Sequence, residues 1–239
     1  MNKLNGPKSV LRAKHIAAYA ASLPVCLLSP AAVRAAELEA SDGATSNQFG
    51  WSVSQSGSTG LVGAERANIG SQSTQGAAYV FRNLDTATGT VTQSAKLIAS
   101  DGASSDNFGM SVSQSESTGL VGAAYAKIGS NTQQGAAYMF RNLDTATGTV
   151  TQSAKLTASD GAANDSFGYS VSLSGDNFTI GAVYGRGTAV GSGKAYTGSV
   201  SSVTTLDAGS TTKTIDGVSF TSQTDWIIGQ TTNANQVTF

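Results

Sequence analysis

The chain has 239 residues, of which 12% are charged, with 28 glycines, three prolines and a formal net charge of −1. That is enough for one or two domains with a real core. It carries no basic patch of the kind that nucleic acid or an anionic membrane would require. Polar, weakly charged and rich in small residues, it has the composition of short strands and tight turns rather than helices.

In chain order, residues 1–35 stand apart. Lys3, Lys8, Arg12 and Lys14 precede an apolar stretch that Pro24 and Pro30 interrupt, and Val33 and Ala35 occupy the small-residue positions of a peptidase site. This predicts a secretory signal cut after Ala35. Cys26 falls in "LPVC", but bulky Val25 and the apolar chain beyond it argue against lipidation. The cut would remove the only His and the only Cys, His15 and Cys26. Nine basic residues would then face 15 acids, a net of −6. Export is the expected fate, to the outer membrane, cell surface or medium, without disulfides.

From there a unit of 59 residues recurs: "FGWSVSQSGSTGLVGA" from Phe49, "FGMSVSQSESTGLVGA" from Phe108 and "FGYSVSLSGDNFTIGA" from Phe167. Repeats fix architecture before anything else. Within each unit, Phe49, Trp51 and Val53 alternate with small residues, which predicts a strand with one buried face. "GLVGA" is too short for a helix, and "AAYVFRN" is aromatic and branched, as strands favour. Asp85 and Gly89 mark a turn, "TVTQSAKLIA" alternates again, and "SDGA" closes the unit. About four strands per repeat predict tandem four-stranded sheets, each leaning on the next because none can cover its own apolar faces. Phe49, Trp51, Tyr79 and Phe81 are the expected core, and Gly50, Gly109 and Gly168 the expected points of close backbone approach. Repeat boundaries fall near 37–95, 96–154 and 155–197.

The phase-locked Phe-Gly and Gly-Ala pairs stand at Phe49-Gly50 and Gly63-Ala64, Phe108-Gly109 and Gly122-Ala123, and Phe167-Gly168 and Gly181-Ala182. They resemble the FG-GAP repeat, the blade of the β-propeller at the head of integrin α chains and of many bacterial surface proteins. The resemblance covers about residues 37–197. It departs in two ways: Glu65, Ala124 and Val183 replace the Pro of Gly-Ala-Pro, and no calcium loop with alternating acids is present.

Residues 198–239, rich in Thr and Ser, lose the rhythm and resemble the opening of an autotransporter-type passenger that ends in mid-pattern, as in a fragment. The expected fold class is therefore all-β: a partial β-propeller of three four-stranded antiparallel blades, then the start of a β-helix-like segment. Three blades do not close a ring. Open blade edges therefore predict self-association.

For chemistry, Asp101 and Asp106, and again Asp160 and Asp165, are carboxylates five apart in Gly-containing loops. Such pairs either hold Ca²⁺ with carbonyl help or form Asx turns. Trp51, Tyr79, Tyr125, Tyr138, Tyr169 and Tyr184 are candidates for a sugar platform or for packing. Arg82 and Arg141 are either anchors for an acidic ligand or solvated strand ends. With His and Cys gone there is no catalytic triad and no His-based zinc site. The repeated acids sit in turns without an apolar setting to raise one pKa, so the chain is not expected to be an enzyme. The segments that vary most between repeats, 65–75, 124–134 and 183–193, are the expected contact loops. Arg66, Asn68, Tyr125, Lys127, Tyr184 and Arg186 are their candidate contacts. The resemblance implies a surface adhesion module that binds protein or glycan. The alternatives are a spacer or stalk and, further off, a carbohydrate-active enzyme.

Overall fold

A computed structural model describes residues 36–187, 189 and 191–199, together with the backbone of three short strands within 212–238. The expected signal segment lies outside the described residues, as does most of 198–239. No helix occurs among the described residues.

The first sheet holds β2 (Phe49–Ser56), β3 (Thr59–Ala64), β4 (Ala77–Phe81) and β6 (Ala95–Ile98), each antiparallel to its neighbour. The second repeats it with β7 (Ser111–Ser115), β8 (Thr118–Ala123), β9 (Ala136–Phe140) and β11 (Ala154–Thr157). The third has β12 (Phe167–Ser174), β13 (Asn177–Ala182) and β14 (Lys194–Ser199).

The segment "TVTQSAKLIA" is two strands rather than one. β5 (Gly89–Thr92) pairs in parallel with β1 (Ala36–Glu39), and β10 (Gly148–Thr151) pairs in parallel with β6 of the first sheet. The break at Gln-Ser separates them, and the glutamine becomes a clasp. Gln152 accepts from the Ser100 amide at 3.0 Å and donates to the Ser100 hydroxyl at 2.9 Å, as Gln93 does with Ser41. The first sheet therefore borrows an edge strand from the following repeat. In the second sheet that place is taken by the backbone of β17 (Gln236–Thr238), with Gln236 opposite Lys155 as Thr149 is opposite Lys96. β15 (Thr212–Ile215) and β16 (Val218–Thr221) form an antiparallel pair, a different arrangement from the parallel coils of a β-helix.

The sheets stack face to face. Leu61, Val80 and Leu97 of the first share a core with Phe108, Val121, Tyr138 and Phe140 of the second. Leu120, Met139 and Leu156 of the second share another with Phe167, Phe178 and Ile180 of the third. Strand β3 is buried along its whole length because both its faces are covered, so its apolar residues run continuously instead of alternating. The outer face of the third sheet differs in chemistry. Thr179 stands where Leu61 and Leu120 point forward, and Thr197 where Val80 and Met139 do, and both threonines are exposed.

Two expected core residues are not core. Trp51 is 52% exposed and Val53 is 70% exposed. A bulge between Phe49 and Ser52 turns Trp51 out of the alternation, whereas Val53, opposite Val62, keeps the face of Phe49 and is bare because only the short β1–β5 pair precedes that face among the described residues. Val112, the counterpart of Val53, is buried because a sheet precedes it.

Candidate binding site

The repeated motif builds the joints between sheets. Each Phe packs edge-on against the aromatics of its own sheet: Phe108 lies 5.5 Å from Tyr138 and 5.8 Å from Phe140, and Phe167 lies 5.2 Å from Tyr196. Its amide donates back to the preceding repeat, Phe108 to the Gln75 carbonyl and Phe167 to the Gln134 carbonyl, both at 2.8 Å. The following glycine, at φ +90° in Gly109 and +89° in Gly168, lies so close to the Ala77 or Ala136 carbonyl that a Cβ would collide with it. Gly50, before which the described residues place only the two-stranded β1–β5 sheet, has the same φ and open space. Ser52 and Ser111 donate to the Gly109 and Gly168 carbonyls at 2.8 Å. Ser54 and Ser56 accept from the Gln114 and Glu116 amides, and Ser113 and Ser115 from those of Leu173 and Gly175, all at 2.9 Å.

The candidate carboxylates have protein partners. Asp101 pairs with Lys155, as Asp42 does with Lys96, and each lysine lies over a tyrosine ring, at 5.4 Å from Tyr138 and 5.6 Å from Tyr79. In the third repeat Lys194, on the neighbouring strand, supplies the cation for Asp160, which also accepts from the Tyr196 hydroxyl at 2.9 Å. Those two donors hold the Asp160 carboxyl below its usual range. Burial pushes Asp42 up, but the Lys96 ammonium and Tyr79 hydroxyl outweigh it and bring it below as well. The same tyrosines are pushed up: burial first and then the Asp101 charge act on Tyr138, and burial and Asp42 on Tyr79. Asp106 and Asp165 accept from the Ala103 and Ala162 amides at 2.8 and 2.7 Å, three residues upstream rather than the two downstream of an Asx turn, so each carboxylate closes its own loop. Burial raises the Asp106 carboxyl above the ordinary aspartate range. Among the described residues, no group of three or more His, Cys, Asp or Glu is placed to hold a metal ion.

The expected aromatic platform divides in two. Tyr79 and Tyr138 are buried. Tyr125, half-buried, neighbours Tyr169 and Tyr184, which are 40% and 58% exposed. Burial, then Tyr169, Glu65 and Tyr184, push the Tyr125 hydroxyl up. Tyr125, Tyr184 and Arg186 meet in a cleft of about 490 Å³ at the seam between the second and third repeats, with Gln133, Asn164 and Asp165. Backbone bonds fix its floor: Asn164 N to Thr132 O at 2.9 Å, Ser166 N to Gln133 O at 3.1 Å and Tyr184 N to Asp165 O at 3.2 Å.

The other candidates lie elsewhere. Lys127 and Asp101 border a separate hollow of about 630 Å³ with Asn131, Gln134 and Lys155. Asn68 accepts from the Thr74 amide at 2.9 Å and so braces its own loop, and Arg66 reaches Glu65 at 3.5 Å. Arg82 donates to the Asp144 carbonyl at 2.6 Å and Arg141 reaches Asp176 at 3.5 Å, so both tie one repeat to the next. Gln133 falls in the expected contact loop 124–134 without having been singled out, and sequence reasoning missed Asn164; the only further signal was that they replace Thr74 and Ser105 of the preceding seam.

The FG-GAP repeat model matches at 33–81, 91–140 and 150–197, more than half of the chain. The chain belongs to the FG-GAP repeat family. Its Phe-Gly and Gly-Ala pairs are the two halves of one joint, the Phe-Gly of the second and third repeats seated against the Gly-Ala of the repeat before. Membership points to a ligand-binding or adhesion-type repeat module. No curated protein matches the chain.

Proposed function

We propose that this FG-GAP protein is an exported, surface-displayed binding and adhesion module, without catalytic activity, whose sheets are successive blades of a propeller-type assembly. Residues 198–239 are a passenger-like extension in this reading. The observation that carries the reading is the convergence of variable residues on a fixed seam. Tyr125, Tyr184 and Arg186 come from two different loops and line one cleft, while the joints beneath them are near-copies of each other. A rigid scaffold that presents divergent loop residues is the usual arrangement of a recognition surface. Self-association fits best at the first sheet, where Val53 is bare. The rival reading, a spacer, draws on the near-identity of the first two repeats.

The full chain, probed against arrays of glycans and matrix proteins, is expected to give a signal. That signal is expected to disappear when 124–134 and 183–193 are replaced by the sequence of 65–75. Binding that survives both replacements, or a chain that binds nothing while remaining folded, would leave the spacer standing.

A further inference from the structure

We propose that the cleft at the seam of the second and third repeats takes a neutral oligosaccharide; this rests on the binding-module reading above and names its ligand class.

The two seams provide an internal comparison. At the first, polar groups close on each other across the joint. Ser104 bonds Gln72 through both its amide, at 3.0 Å, and its hydroxyl, at 2.8 Å, and the Thr74 hydroxyl meets that of Ser105 at 3.3 Å. At the second, Ala163 replaces Ser104, and Asn131 replaces Gln72 and turns inward to Gln134 and Gly161. Gln133 and Asn164 replace the Thr74–Ser105 pair, and their side-chain amides bond to no other described residue. The aromatic content changes at the same seam. Tyr125 and Tyr169 occupy the places of Arg66 and Met110, and Tyr184 that of Tyr125 itself. Repeats that elsewhere agree almost letter for letter have thus lost the bonds sealing this seam and gained tyrosines and free amides around it.

That combination selects the ligand. Exposed tyrosine faces offer flat apolar area with little side-chain entropy to lose, which suits the C–H faces of a pyranose ring. Planar amides supply paired donors and acceptors for vicinal hydroxyls. One carboxylate, Asp165, and one guanidinium, Arg186, offset each other, so the lining has no net charge to favour an anionic ligand. A cleft of about 490 Å³ is within the ordinary range for small-ligand sites. An extended peptide fits less well, because the amides of Asn164, Ser166 and Tyr184 already serve the fold and leave no free edge for strand addition.

The test titrates the full chain by calorimetry with soluble gluco-, manno- and galacto-oligosaccharides, with an oligouronate as the anionic arm. At least one neutral series is expected to bind. Tyr125→Ala and Tyr184→Ala should each weaken it roughly tenfold or more, while Tyr184→Phe, which keeps the ring, stays within about threefold. Unchanged melting temperatures establish that the variants fold. If no neutral series binds, if the oligouronate binds better, or if both alanine variants bind as wild type does, the proposal is overturned. A protein ligand whose capture is lost in Tyr184→Ala would overturn the saccharide class and leave the binding-module reading intact. Silence toward both classes would overturn the two together.

Discussion

The two seams of the molecule share one skeleton and differ in what they carry. At both, a Phe amide donates back to a Gln carbonyl, a glycine abuts an alanine carbonyl, and serine hydroxyls serve the next strand's amides. On the surface above, the first seam is sealed by Ser104, Gln72, Thr74 and Ser105, and the second is an open, tyrosine-lined cleft. What stays constant between repeats is the joint, and what varies is the loop side chain above it. In a repeat protein this separates the residues of the joint from the variable loop residues without any second sequence.

The largest effect should come from the joint itself. Phe108→Ala empties a fully buried ring site between the first two sheets and should cost about 3–5 kcal/mol. Trp51→Ala, a larger truncation two places after an equivalent Phe, should cost under about 1 kcal/mol because the ring is half in solvent. Urea unfolding of the two variants measures the contrast. Similar losses would mean that Trp51 is buried after all.

A smaller effect distinguishes an inner strand from the last one. Ser113→Ala removes the acceptor of the Leu173 amide and should cost about 1 kcal/mol. Ser172→Ala, exposed on β12, should be neutral within about 0.5 kcal/mol. An equal loss in both would remove the serine ladder from the account.

The smallest concerns pH. The Asp106 carboxyl, raised by burial, keeps its proton in the folded chain where the unfolded chain has already released it. Stability therefore falls as pH rises from the unfolded pKa through the folded one, and the loss persists at neutral pH. Asp106→Asn, which copies Asn47 of the first repeat, should be as stable as wild type or up to about 1 kcal/mol more stable at pH 7. The difference should close below about pH 4. Unfolding at both pH values checks the sign, and a variant less stable at pH 7 than at pH 3.5 relative to wild type contradicts it.

Much of the fold was legible in the sequence. The 59-residue phase placed the strands, and the recurring Gly after Phe announced a close backbone approach. Three features were not legible, each for a physical reason. The bulge at Gly50 turns Trp51 out of the core, and Val53 is bare for want of a full sheet before it; alternation alone sees neither. The split of "TVTQSAKLIA" depends on β10 pairing with the preceding sheet, a contact some 50 residues away. The partners of Asp101 and Asp160 lie 54 and 34 residues away, and Lys194 shows the ion pair rebuilt from a different strand. At the site, Tyr125, Tyr184 and Arg186 stood out as variable loop residues, but Gln133 and Asn164 acquire meaning only beside the bonds they replace.

The most direct measurement substitutes the same glycine at two ends of the array. Gly168→Ala and Gly50→Ala impose the same unfavourable φ, but only Gly168 has the preceding sheet's Ala136 carbonyl against it. Equilibrium unfolding should find Gly168→Ala less stable than Gly50→Ala by about 2 kcal/mol or more. Equal losses at the two sites would mean that the Phe-Gly step shapes its own strand and does not lock one sheet to the next.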